Sequence, residues 1–265
     1  MSFTPADKPD APSDLRRAIR DGTFRGPTAG LAPGFAQGNI AILPERWAAA
    51  FEEFCRSNAQ ACPLLARSRP GEWRLTELGG DIDIRRDVPR YRVYRDGIAA
   101  GETDDILALW SPDFVTFALG CSFTFEHALL AAGLPVRHIE EGRNVPVYRT
   151  NRPVRECGPF GGGLVVSMRP MLPGDVARAT AICRRFPNSH GEPVHVGDPA
   201  ALGIADLDAP DFGDPPVMRP GEVPVFWACG VTSLAALERA ALPIFITHAP
   251  GYMLITDLLD KEYIA

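Results

Sequence analysis

Residues 115–136 read VTFALGCSFTFEHALLAAGLPV, and residues 223–244 read VPVFWACGVTSLAALERAALPI. Laid over each other at an offset of 108 without a gap, they share Val115/Val223, Cys121/Cys229, Thr124/Thr232, Ala128/Ala236, Leu129/Leu237, Ala132/Ala240, Leu134/Leu242 and Pro135/Pro243, eight identities in twenty-two positions. Each copy opens as an apolar strand, passes a turn of small residues, continues with helical spacing and closes on a Leu-Pro pair that enters another apolar run. In both, the cysteine stands where strand gives way to helix, which is where open α/β sheets bind ligands. Recurring strand-turn-helix units with short turns predict an α/β fold: a three-layer main domain whose mostly parallel or mixed sheet is built on this internal repeat.

The stretch between the copies has a different character. Strands are expected at 145–148, 163–168 and 193–196, and Pro173 opens a helix. This group predicts a smaller inserted two-layer α+β domain over 141–215, which leaves a discontinuous main domain at 13–140 and 216–265 behind a flexible tail at 1–12. Upstream, Ser13 is expected to cap a short helix that ends at Gly22. The glycine- and proline-rich segment 22–44 reads as an ordered apolar loop. A helix follows from Pro44 to about residue 58, with Trp47, Ala50, Phe51, Phe54 and Cys55 on one face. The alternation before Asp96-Gly97 signals a hairpin, and 247–260 reads as a closing loop and helix.

Composition narrows the function. The 265 residues carry a net charge of −6, with 46% hydrophobic and 23% charged residues, the profile of an ordinary globular protein. An acidic balance argues against a nucleic-acid partner. No apolar run is long enough for a membrane span, and the polar N-terminus lacks a secretory pattern, so the expected address is cytoplasmic. The six cysteines form no CxxC pair and are read as thiols. Gly161–Gly163 lacks the spacing of a dinucleotide-binding loop. His190 and His195 flank Pro193, which rules out a helical metal-binding pair, and no third ligand is evident, so no metal is expected. Loop ordering or a polar contact to substrate suits this pair better.

The candidate site grows from the doubled turn. Cys121 and Cys229 each stand at a helix start, where the dipole favours a thiolate; a cysteine is equally a small apolar residue suited to a tight junction. Ser122, Thr124, Gly230 and Thr232 surround helix-start N–H groups and make a carboxylate seat without any thiol chemistry. Glu126 breaks the repeat, its partner being Leu234, and is either dipole decoration or an acid/base group. Glu140 and His248 occupy matching positions, expected at the ends of the strands that follow each helix. Among many arginines, Arg169 ends an apolar strand and is fixed by Pro170, which suits carboxylate recognition. Asn39 and Gln37 in an apolar context need partners and serve as site groups or loop pins.

An ordered set of longer motifs runs through the chain: GPTAGLAPGFAQGNIAILP (26–44), DIRRDVPRYRVYRDG (83–97), LGCSFTFE (119–126), RHIEEGRNVPVYRTN (137–151), VVSMRP (165–170), RFPNSHGEPVHVGDP (185–199), FWACGVTS (226–233) and ITHAPGYMLITD (246–257). Together they resemble the bacterial hydro-lyase family that contains D-glutamate cyclase, over about residues 14–258. The resemblance implies a two-domain α/β lyase that removes water without a cofactor, in the cyclase by closing D-glutamate to 5-oxo-D-proline. It implies a small carboxylate or amino-acid substrate as partner, and is compatible with a homo-oligomer.

Ring closure needs a base for the amine, an acid for the departing oxygen and donors for the oxyanion. On that reading each helix start holds one carboxylate. Glu126 or His248 moves protons, Arg169 and Asn144 complete the clamp, and a Cys121 thiolate could instead attack the distal carboxyl. Two alternatives stay open. One is a cofactor-independent amino-acid racemase with one thiol per face of Cα; the other is a non-catalytic binder of a small acid.

Overall fold

The strand β1 (Phe35–Pro44) is buried from Ala36 to its end. In the computed structural model, which describes residues 11–260, it is the central strand of the larger of two sheets. One edge pairs along its length with β5 (Phe114–Gly120), from Gly38↔Gly120 to Pro44↔Phe114. Its other edge is shared: β10 (Phe245–His248) takes Ala41 and Ile42, and β11 (Leu254–Leu259) takes the first half. The sheet continues to β2 (Leu64–Arg67) beyond β5, and to β3 (Tyr91–Arg95) and β4 (Ile98–Thr103) beyond β10. The second sheet runs β6 (Val147–Pro153), β7 (Gly163–Met171), β9 (Val223–Ala228), β8 (His195–Val196).

Every one of these pairings is antiparallel, which corrects the expected mostly parallel sheet. The reason lies in where the two copies go. The first copy's strand, β5, belongs to the larger sheet; the second copy's strand, β9, belongs to the smaller. The helix after β5, α3 (Phe123–Ala131), packs Phe125 and Leu129 against Val225, Trp227 and Met171 of the smaller sheet. The helix after β9, α6 (Val231–Ala240), packs Ala236 and Leu237 against Leu43, Val115 and Phe245 of the larger. α6 also lies beside β7 of the smaller sheet and α3 beside β1 of the larger, so each helix sits between the two sheets. Because the strands of the two copies join different sheets, they never become parallel neighbours. Burying a side chain such as Phe125 or Leu129 contributes roughly 1.5–3 kcal/mol, so these helices tie the two sheets together.

The helix α2 (Glu45–Ser57) lays Phe51, Phe54 and Cys55 on the larger sheet, as its spacing predicts. The hairpin at Asp96-Gly97 also forms, with φ of 50° and 80° at the two turn residues and Arg95 opposite Ile98. The strands β6 and β7 and the helix α5 (Pro173–Arg184) fall where the spacing places them.

Other expectations are corrected. The segment read as a loop up to Pro44 contains β1, because a strand covered on both faces shows no polar alternation. The closing helix is the strand β11, whose Leu254 and Ile255 are fully buried beside β1. The first helix, α1 (Pro12–Arg20), starts on Pro12, with no side-chain cap from Ser13. The repeat also diverges after its Leu-Pro pair. Residues 245–248 form β10, whereas their counterparts form a helical turn, α4 (Arg137–Glu140). Phe245, Ile246 and Thr247 suit a buried strand; Arg137 instead needs a turn to reach Glu140 at 2.8 Å. The expected tail lies, up to residue 10, outside the described residues. Among the described residues no helix is long and apolar enough to cross a membrane.

Candidate active site

Cys121 directly follows β5 and Cys229 directly follows β9, and the two turns that they open face one cavity of about 110 Å³ between the sheets. Cys121, Ser122 and Phe123 line it from one helix start, and Cys229, Gly230 and Val231 from the other. Neither N-cap residue, Ser122 or Gly230, closes its helix with a side-chain hydrogen bond. The backbone N–H of Phe123 bonds the Cys121 sulfur and that of Val231 bonds the Cys229 sulfur, so the geometry repeats in detail. The polar wall is completed by Asn39, Asn144, His190, Ser233, Thr247 and His248. Among the described residues, no aspartate, glutamate, lysine or arginine lines the cavity. With roughly 300 Å³ as the lower end for drug-sized ligands, this space suits a small metabolite. Its electropositive features are the two helix N-termini.

Burial pushes the Cys121 thiol up to about 12, against the pull of the Phe123 N–H. Burial also raises Cys229, against the Val231 N–H. Desolvation therefore beats the helix dipole at both positions, and both sulfurs rest as thiols at neutral pH.

On the second copy's side, a chain of hydrogen bonds runs through Asn39 and His248. Asn39 Nδ2 donates to the Gly120 carbonyl at 2.8 Å. Asn39 Oδ1 lies 3.1 Å from His248 Nε2, and His248 Nδ1 lies 2.8 Å from the Ala249 carbonyl. The ends of this chain are carbonyl oxygens, which only accept. A neutral imidazole supplies one N–H for two acceptor neighbours, and turning the Asn39 amide only moves the mismatch to Gly120. The chain is complete only with an imidazolium. Burial, with Arg92 adding to it, nonetheless holds His248 down to about 4. The resting ring is therefore neutral and leaves one acceptor of the chain without a donor. Gly230 makes this possible, since a Cβ there would stand 2.5 Å from Asn39 Nδ2.

The first copy's side is built on charge. Glu126 and Arg169 are buried and paired to each other, through Arg169 Nη2 and through Arg169 Nε at 3.0 Å from Glu126 Oε1. His138 Nε2 lies 3.3 Å from the same oxygen. Burial alone would raise Glu126, but His138 and Arg169 together override it and hold the carboxyl at about 2. The guanidinium stacks near Phe125 and Trp227 and donates to Ser167 Oγ at 3.1 Å and to Ser122 Oγ at 3.0 Å. Because Ser122 Oγ already accepts from Arg169, its own proton is left for an acceptor in the cavity.

The wall thus unites Cys121, Ser122, Cys229, Gly230, Asn39, Asn144 and His248 from the residues singled out in the sequence. Glu126 and Arg169 lie behind Ser122, outside the wall, and reach the cavity through it. Thr232 ties α6 to β7, its Oγ1 accepting from the Val165 N–H at 3.0 Å, while Thr124 Oγ1 is buried with no partner among the described residues. Gln37 pins the loop carbonyls of Thr28 and Leu31. Glu140 pairs with Arg137, and His195 bonds the Asp198 carbonyl. Among the described residues, no cluster of three or more His, Cys, Asp or Glu side chains is placed to hold a metal ion. Sequence reasoning did not single out Ser233 or Thr247 and read His190 only for metal binding, loop ordering or a polar contact. The position of His190 between Ser189 and Gly191 in a proline-flanked loop is the one local signal of its unusual turn.

A family model described as D-glutamate cyclase matches residues 115–257, from the strand before Cys121 to β11. A "Putative hydro-lyase" of Burkholderia multivorans is 58% identical over 96% of this chain and 98% of that protein. Proteins so named in Verminephrobacter eiseniae and Bordetella petrii are each 56% identical, over 94% and 93% of this chain and 91% and 94% of theirs. Among solved structures, a nitrogen repressor-like protein of Methanococcus jannaschii aligns over 91% of this chain and 96% of that one at a TM-score of 0.39 and 11% identity, too slight a likeness to carry an argument.

Proposed function

Since the chain belongs to the D-glutamate cyclase family of hydro-lyases, we propose that this lyase removes water from a small amino acid carrying two carboxylates, with D-glutamate closing to 5-oxo-D-proline as the reaction that fits. The observation that carries the reading is the meeting of two helix N-termini on one small cavity whose wall, among the described residues, holds no acidic or basic side chain other than histidine. A dicarboxylate supplies the charge that the two dipoles lack. Its ammonium group brings the proton that the Asn39–His248 chain is missing.

The bonds made and broken set the demands. The amine nitrogen attacks the distal carboxyl carbon, a C–N bond forms, and one C–O bond breaks with the oxygen leaving as water. Two protons leave the nitrogen and two arrive on the departing oxygen, so the cycle takes up no net proton. His248 accepts from the amine. The Ser122 hydroxyl, oriented by Arg169, and the helix-start N–H groups hold the oxyanion. Asn144 and Ser233 line the remaining polar wall and fix the substrate's orientation.

The two facing thiols support a second reading, racemisation by one cysteine on each face of Cα. Incubation with D- and L-glutamate in heavy water, followed by NMR, separates the two. Cyclisation gives 5-oxoproline with the Cα proton retained; racemisation gives the other enantiomer with deuterium at Cα. Recovery of both enantiomers unchanged overturns both.

A further inference from the structure

We infer that His190 is a second proton-transfer residue of this site, acting through Nε2 alongside His248; the inference rests on the cyclisation reading. His190 is buried, lines the cavity and stands in left-handed backbone at φ 77°. Its Nδ1 lies 2.9 Å from the Gln60 carbonyl. A carbonyl only accepts, so Nδ1 carries the proton and the neutral ring keeps its lone pair on Nε2. Among the described residues Nε2 has no hydrogen-bond partner, which sets it apart from His248, whose two nitrogens both face oxygens.

The ring is held with a firmness that loop ordering does not require. Gln60 grips it twice: its carbonyl takes the Nδ1 proton, and its side-chain amide donates to the His190 carbonyl at 3.2 Å and the Glu192 carbonyl at 3.0 Å. The loop that carries His190 is pressed onto the first cysteine turn, since a Cβ on Gly120 would stand 1.7 Å from the Asn188 carbonyl. A strained backbone conformation held from several sides is characteristic of functional positions.

The reaction needs this group. Two protons must travel from nitrogen to oxygen, and among the described residues the titratable groups of the wall are two histidines and two thiols. Both thiols hold their protons tightly, so the histidines divide the work. His248 takes the first proton, completing its chain of hydrogen bonds, and passes it to an oxygen of the distal carboxyl, which becomes the departing hydroxyl. His190 Nε2 takes the second as the C–N bond forms and returns it to the departing hydroxyl.

His190→Asn tests this, because asparagine tolerates left-handed backbone and can keep a donor toward Gln60 while removing Nε2. The expected result is a loss of D-glutamate turnover of about 10²- to 10⁴-fold, with the melting temperature and binding of 5-oxo-D-proline retained. Turnover within threefold of the parent overturns the inference. If His190→Asn fails to fold, ¹⁵N NMR of the parent's ring nitrogens decides. A proton on Nδ1 and none on Nε2 is expected, and a proton on Nε2 overturns it. A parent without D-glutamate turnover overturns the cyclisation reading instead, while the ring-nitrogen shifts still decide for His190.

Discussion

The two cysteine turns share a backbone and differ in what supports them. Behind the first, Glu126, Arg169 and His138 form a buried charged network that ends on Ser122. Behind the second, Leu234 replaces Glu126 and Gly230 replaces Ser122, and the space that glycine leaves is filled by Asn39 on its way to His248. The first turn is equipped to present a polarised hydroxyl; the second is equipped to receive a proton. On the proposed cyclisation, the duplicated frame supplies two anion seats of similar shape, the unequal supports distinguish the end of the substrate that reacts, and catalysis resides in the broken symmetry.

The comparison breaks most completely at Arg169. Arg169→Met leaves Glu126 buried without its cation, and the expected destabilisation is about 3–5 kcal/mol, read as a large fall in melting temperature. Leu234→Met, at the place equivalent to Glu126, should cost less than about 1.5 kcal/mol. Equal losses at the two positions would show that the first turn does not depend on its charged network.

His248→Gln tests the other half. Without the imidazole the proton acceptor is gone, and kcat should fall about 10²- to 10⁴-fold while the fold is kept. An unchanged kcat would return the base to the first turn.

Stability should follow pH through the two cavity histidines. Burial lowers His190 and His248 from 6.5 to about 4, so the unfolded chain binds their protons first. Their contribution is complete above 6.5 and is lost as the pH falls toward 4. Thermal melts across that window should show the loss, and it should shrink in His190→Asn. A flat profile would mean that neither ring is held neutral.

The smallest effect is expected at the sulfurs themselves. Cys121→Ser and Cys229→Ser should each keep turnover within about tenfold, since burial pushes the Cys121 thiol up to about 12 and raises Cys229 as well, and a protonated thiol is a poor nucleophile. Loss of all activity in both variants would favour the racemase reading.

Much of the site was legible because the repeat places both turns in one alignment. Cys121, Ser122, Cys229 and Gly230 follow from it, and His248 from its strand end. The sheet topology was not legible, because a strand-turn-helix unit reads the same whether its helix returns to its own sheet or crosses to another. The central strand was hidden by Gln37, Gly38 and Asn39, polar or small residues inside a buried run. Arg169 was singled out for carboxylate recognition, but only the fold shows that it pairs with Glu126 and donates to Ser122. The setting of His190 depends on a left-handed turn and on Gln60, 130 residues away.

The central claim is that two helix starts seat the two carboxylates of one small acid. A crystal structure with glutarate, which has both carboxylates and no amine to react, tests it most directly. One carboxylate should lie within hydrogen-bond reach of the Ser122 backbone N–H and hydroxyl, and the other of the Gly230 backbone N–H. Glutarate bound elsewhere, or held by arginine side chains, would contradict it.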